Sequence, residues 1–85
     1  MASLVDFVGG SGIRIRLLTH LARRPHTPTE LAAIEKKHVS HISRALTELK
    51  AKGLVEYVPS GSRERFYRPT DRGLITYYAV ARVIR

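Results

Sequence analysis

The chain has no cysteine, no tryptophan and a single methionine, and only seven of its 85 residues are acidic. Without cysteine there is no disulfide frame, no thiolate zinc site and no cysteine nucleophile, so folding rests on apolar packing. No uncharged apolar run approaches the roughly 20 residues that span a bilayer, which excludes a membrane-crossing helix. Met1 to Val8 carries Asp6 and no basic leader, so it does not read as a secretory signal, and a cytoplasmic location is expected. A core of this size leaves little room for the deep cleft of most enzymes. No nucleophile elbow or paired-carboxylate motif frames the Ser, His and Asp residues. Gly9-Gly10-Ser11-Gly12 lacks the Lys-Ser/Thr ending of a phosphate loop and reads as a turn. The expectation is a binding module, not an enzyme, with no cofactor.

What is present is positive charge. Fifteen lysines and arginines give a formal charge of +8, which selects a polyanionic partner, with nucleic acid ahead of an anionic membrane surface. Apolar residues make up 44% of the chain, enough to reject disorder.

Turn signals at Gly9–Gly12, Arg24–Pro28, Gly53, Pro59–Ser62 and Pro69-Thr70 divide the chain. From Gly12 to Arg24, Ile13, Leu17, Leu18 and Leu21 recur at helical spacing, and Ser11 stands where a cap is wanted. Pro25 ends this first helix. Thr27-Pro28-Thr29-Glu30 is a capping box with proline at the first helical position, opening a short second helix to about Glu35. A third helix spans about Val39 to Lys52, with Val39, Ile42, Leu46 and Leu49 on one face and Gly53 as a left-handed stop. Leu54–Val58 and Arg65–Arg68 are strands of a basic hairpin, and Thr70-Asp71 caps a final, nearly all-round apolar helix from Leu74 to Ile84. The predicted fold is mainly α with a small β-hairpin wing, in the order α-α-α-β-β-α: an arm over 1–11, a DNA-binding core over 12–73 and a dimerisation helix over 74–85.

The third helix reads as a DNA reader. Opposite its apolar stripe lie Ser40, Arg44, Thr47 and Ala51, with His41 and Glu48 on one flank. Ser40, His41 and Arg44 sit near its N-terminus, and an arginine there can fork onto a guanine. His38 stands where another DNA-contacting polar side chain is expected, and Ser43, nearer the core, is expected to contact phosphate or to cap locally. Lys36, Lys37 and Thr29 are expected on phosphate, Thr29 because free amides at a helix start favour an anion. In the wing, Arg63 and Arg65 share a face by period-two alternation and join Arg68 along the backbone or in a minor groove. Lys50 and Lys52 suit the negative end of their helix and are given a structural role. His38 and His41 have a metal-like spacing, but no third ligand stands near them, so no metal is expected. His20 reads as a helix-surface residue and His26 as a loop residue.

The segment Glu30-Leu31-Ala32, then Val39-Ser40-His41-Ile42-Ser43-Arg44-Ala45-Leu46, then Glu48-Leu49 and Gly53-Leu54-Val55, resembles the helix-turn-helix core of ArsR-type and MarR-type transcription regulators. Arg65-Phe66-Tyr67-Arg68-Pro69-Thr70-Asp71-Arg72-Gly73 is similar to their wing's return strand and entry to the last helix. The resemblance covers roughly residues 12 to 73 and implies a winged helix-turn-helix fold. The chain departs from those families at Glu35 and Lys36, where they have an apolar residue and a glycine. This predicts a differently shaped turn, with Val39 as its apolar anchor. Thiol-based metalloid sensing is not implied, since the cysteines are absent.

The ends carry more apolar surface than one small fold covers, and this predicts a twofold dimer through Leu4, Phe7, Leu74, Tyr77, Tyr78, Ala81 and Ile84. Relatives of that type place two reading helices in successive major grooves, roughly 34 Å apart. The expected function is homodimeric, sequence-specific binding to an inverted-repeat operator in double-stranded DNA, with no membrane and no obligatory small molecule. On DNA the protein would be nucleoid-associated. About 8 phosphates neutralised per dimer give a logarithmic salt slope near −7. Rival readings are an architectural protein without sequence choice and a winged-helix interaction module of a transcription or replication assembly.

Overall fold

The computed structural model describes residues 3–61 and 63–84, the side chains of Val83 and Ile84 excepted. Ser62 of the expected turn, Arg85, and the Ile84 side chain expected at the dimer interface lie outside the described residues. Seven elements follow one another: α1 Leu4–Gly9, α2 Gly12–Arg23, α3 Pro28–Glu35, α4 Val39–Ala51, β1 Val55–Tyr57, β2 Tyr67–Pro69 and α5 Asp71–Ile84. The order is the expected one with a short helix added in front.

That first helix is the main departure. Ser3 accepts the Asp6 amide and the Asp6 carboxylate accepts the Ser3 amide, a capping box that turns the apolar arm into one and a half turns of helix. The arm does not reach outward. Val8 is fully buried, and Leu4, Val5 and Phe7 pack partly against the core of the same chain, with α1 lying on α5.

The other starts and stops fall where local chemistry puts them. Ser11 Oγ accepts the Arg14 amide at the head of α2. Thr27 and Glu30 form the reciprocal capping box of α3 ahead of Pro28. Gly53, at φ 73°, ends α4 in the left-handed region that glycine enters without steric cost. Thr70 Oγ1 donates to the Gly53 carbonyl at 2.6 Å and accepts the Gly73 amide at 3.0 Å, so one hydroxyl joins the end of α4 to the start of α5. Gly73 itself faces the Leu54 carbonyl so closely that a Cβ would stand 1.9 Å from that oxygen, which fixes where α5 crosses the sheet.

The core is one cluster: Leu17, Leu18 and Leu21 of α2, Leu31 and Ala32 of α3, Ile42, Ala45, Leu46 and Leu49 of α4, then Leu54, Val55 and Tyr67, closed by Val8 and Val80. Val39 is not among them. It is 41% exposed, because α4 begins there and its first turn runs past the packed face, so the turn has no apolar anchor from this residue. The hairpin is shorter than expected. Its strands pair antiparallel as Val55 with Pro69, Glu56 with Arg68 and Tyr57 with Tyr67, and one more bond joins the Val58 amide to the Phe66 carbonyl. Arg63 and Arg65 lie in the connecting loop, so strand alternation does not set their faces. His26 is a loop residue as read, but buried. Its backbone pairs with Tyr67 as an isolated antiparallel bridge outside the β1–β2 ladder, and its Nδ1 meets the Arg24 carbonyl at 2.8 Å. No described helix is long and apolar enough to cross a membrane.

Candidate nucleic-acid interface

The α3–α4 turn is built from Glu35 and Lys36, where the families that the chain resembles have an apolar residue and a glycine. Lys36 adopts φ 55°, ψ 45°, the left-handed conformation that usually falls to glycine and costs a side-chain-bearing residue about 1–2 kcal/mol. Glu35, in the place of an apolar residue, is held by α2: Arg16 Nε donates at 2.6 Å and His20 Nε2 lies at 2.7 Å, leaving the carboxylate side chain 9% exposed. Burial raises the Glu35 pKa, but the hydrogen bonds from His20 and Arg16, with the charge of Arg16, outweigh it and hold the carboxyl below its ordinary value. An ionic clamp does here what an apolar plug would do. His20, read as a surface residue, is half of that clamp.

Beyond the turn, Lys36, Lys37, His38, Ser40, His41, Arg44 and Thr47 are all exposed, and Ser43 is half-buried at the core's edge. His38 caps α4: its Nδ1 accepts the Ser40 amide at 3.3 Å and faces the Ser40 hydroxyl at 2.8 Å. A neutral imidazole accepting at Nδ1 carries its proton on Nε2, which is then a donor. Thr47 Oγ1 donates to the Ser43 carbonyl at 2.9 Å. Among the described residues no three His, Cys, Asp or Glu side chains group as metal ligands. At the head of α3, Thr27 takes the Glu30 and Leu31 amides and Pro28 has none, so the exposed Thr29 amide remains for an anion. The half-exposed Glu30 carboxylate shares that helix end and makes Thr29 the weakest phosphate candidate.

The wing arginines differ from one another. Arg68 Nε donates to Glu56 at 2.9 Å across the strand pair, which partly spends its charge. Arg65 lies over the Tyr57 ring with Cζ 4.6 Å from the centroid, and Lys50 Nζ stands 4.9 Å from the same centroid. Tyr67 meets Tyr57 edge-on at 5.0 Å. Burial, then the bond to Tyr57, pushes the Tyr67 hydroxyl up to about 12, so it stays protonated at neutral pH. Sequence reading missed this Lys50–Tyr57–Arg65 stack. Lys50 was assigned to the helix dipole, and no local spacing announces a contact made across the hairpin. The result is a helix with cations at both ends, Lys36 and Lys37 before it and Lys50 with Arg65 after it, and small polar side chains between.

The expected dimer residues are split. Leu4, Phe7 and Tyr77 pack partly on their own core, Leu74 and Ala81 are half-buried, and Tyr78 is 59% exposed. Ile75, not among the expected residues, is 71% exposed one helical turn from Tyr78. It was passed over because the helix looked apolar on every face, which hides which face is free.

A model of the MarR family matches residues 9–65. No curated protein matches the chain closely enough by sequence to count as a relative. Among solved structures, the chain is similar to the transcriptional regulator BldR of Sulfolobus solfataricus, with TM-score 0.84 and 23% identity over 96% of this chain and 63% of that one. It is similar to the homodimeric winged helix-turn-helix DNA-binding domain of Mb0332 from Mycobacterium bovis, with TM-score 0.77 and 25% identity over 95% and 74%. A mutant MarR of E. coli complexed with operator DNA superposes with TM-score 0.79 and 19% identity over 95% and 63%. The chain spans about half the length of Lactococcus lactis ZitR, covering 51% of it. These likenesses establish the fold, a winged helix.

Proposed function

The chain belongs to the MarR family, and from that premise we propose that it is a homodimeric transcription regulator that binds an inverted repeat in double-stranded DNA with α4 in the major groove. The observation that carries this reading is the surface of α4, small and polar between cationic ends. Thirteen residues make a helix of about 20 Å, longer than the groove's width of about 12 Å. Its ends therefore lie near the flanking phosphate strands. Lys36, Lys37 and the His38 Nε2 donor meet one strand, and Lys50, Arg63 and Arg65 meet the other. Ser40, His41, Arg44 and Thr47 face base edges between them, Arg44 as the bidentate reader of guanine.

Ile75 and Tyr78 on α5, with Leu74, Tyr77 and Ala81, form the contact between subunits, supported by Leu4 and Phe7 through the packing of α1 on α5. Exposed apolar side chains of this size, spaced to share a helix face, favour burial against another surface. There is no catalytic step, and the protein acts in the cytoplasm by occupying DNA.

Sedimentation of the free protein and binding to random and selected duplex across a salt series test this together. A dimer that prefers the selected duplex, with a logarithmic salt slope near −7, supports it. Equal affinity for both pools would mean an architectural binder. A monomer that binds neither would mean a protein-interaction module.

A further inference from the structure

Arg14 touches three elements at once. It sits in the first turn of α2, with its side chain only 22% exposed. One terminal nitrogen donates to the Phe7 carbonyl at the end of α1, at 2.8 Å. The guanidinium lies over the Phe7 ring, with Cζ 3.8 Å from the centroid. The other terminal nitrogen reaches Glu48 Oε1 on α4, at 3.4 Å. Glu48 occupies the flank that His41 and Arg44 share at helical spacing, and a crevice of about 220 Å³ lined by Ser11, Ile13, Arg14, His41, Arg44 and Glu48 separates that flank from α2. Arg14 therefore links the edge of the reader helix to α1, Lys52 at the helix C-terminus stands farther off over the same Phe7 ring, its Nζ 5.5 Å from the centroid, and α1 rests on α5.

We propose that Arg14 is a positioning residue for base reading: it fixes the His41–Arg44–Glu48 flank of α4 relative to α1, so that groove reading depends on how the terminal helices are packed. This rests on the reading of α4 as the DNA-contacting helix. Most exposed ion pairs contribute little because two long side chains must be ordered to form them. Here one partner is already ordered. The carbonyl bond and the ring hold the guanidinium before Glu48 arrives, and its planar fork serves both acceptors without changing rotamer. Glu48 is a carboxylate on the edge of a phosphate-facing helix, and a neutralising cation beside it also removes a local repulsion from DNA.

The test compares Arg14→Met, Glu48→Gln and the double variant with the wild type, on selected and random duplex across a salt series, with amide hydrogen exchange in α4 of the free protein. Glu48 is 48% exposed, so its replacement leaves the core intact. Each single variant is expected to lose three- to tenfold of the preference for selected duplex at an unchanged salt slope. The double variant should lose no more than Arg14→Met, because both cut one relay. Exchange at Ala45–Leu49 should quicken in each. Equal weakening on both duplexes, with the slope reduced by about one, would make Arg14 a phosphate contact and overturn the proposal. An unchanged preference with only a lowered Tm would overturn it too. If the wild type shows no preference, the DNA-reading assignment fails instead; exchange in α4 then decides the relay, unchanged exchange overturning it.

Discussion

The turn ahead of α4 and the wing behind it are both polar, basic segments, yet they are held by different chemistry. The turn is clamped from inside the fold: a nearly buried Glu35 with two donors from α2, a left-handed Lys36 and a His38 cap leave α4 one entry angle. Three residue pairs and an exposed cation–ring stack hold the wing, and its arginines sit in the loop beyond them. A helix that reads base edges must arrive with its side chains already aimed, whereas phosphate contacts work through charge and tolerate adjustment. Rigidity is concentrated where direction matters.

The largest blow to this arrangement falls at the base of the wing, where α5 crosses Leu54. Gly73→Ala places a methyl group 1.9 Å from the Leu54 carbonyl, and denaturant titration should register a loss of about 3 kcal/mol or failure to fold. Next comes the clamp. Glu35→Ala leaves Arg16 and His20 without their shared acceptor and should cost about 1–2 kcal/mol at pH 7. Because the folded carboxyl titrates below its ordinary value of 4.5, its contribution is full above that pH and fades as the pH falls through the lower folded value. The stability gap between wild type and Glu35→Ala should therefore narrow on going from pH 5 to pH 3; a gap that widens would contradict the clamp. Lys36→Gly relieves the left-handed strain at some cost in chain entropy, for a net gain of up to about 1 kcal/mol, visible as a Tm raised by a few degrees. The smallest change in stability belongs to the wing. Tyr57→Ala should cost no more than about 0.5 kcal/mol while making the salt slope on duplex shallower by about one, and Tyr57→Phe should restore the slope by keeping the ring.

What was legible in the sequence follows the same division. Caps and stops are written within three or four residues, so Ser11, the Thr27–Glu30 box, Gly53 and Thr70 could be read directly. The box at Ser3 and Asp6 was equally local, but the apolar segment after it was too short for helical periodicity to show, and α1 passed for an arm. That Ser40, His41, Arg44 and Thr47 share the exposed polar face of α4 followed from spacing alone. Its surroundings did not, because Glu35 is satisfied from α2, Tyr57 is flanked by a helix and a loop, and Arg14 spans α1 and α4, contacts between residues 7 to 34 positions apart in sequence. Val39 was misplaced for a related reason: periodicity assigns a face to a helix but not where its packing begins.

The central claim is that α4 chooses the sequence and the wing supplies charge. Binding of Arg44→Ala and Arg65→Ala to selected and random duplex, each across a salt series, tests it most directly. The account predicts that Arg44→Ala abolishes most of the preference for selected duplex and leaves a steep salt slope. Arg65→Ala should weaken both duplexes alike and lower the slope by about one. A preference that survives Arg44→Ala and disappears with Arg65→Ala would contradict it.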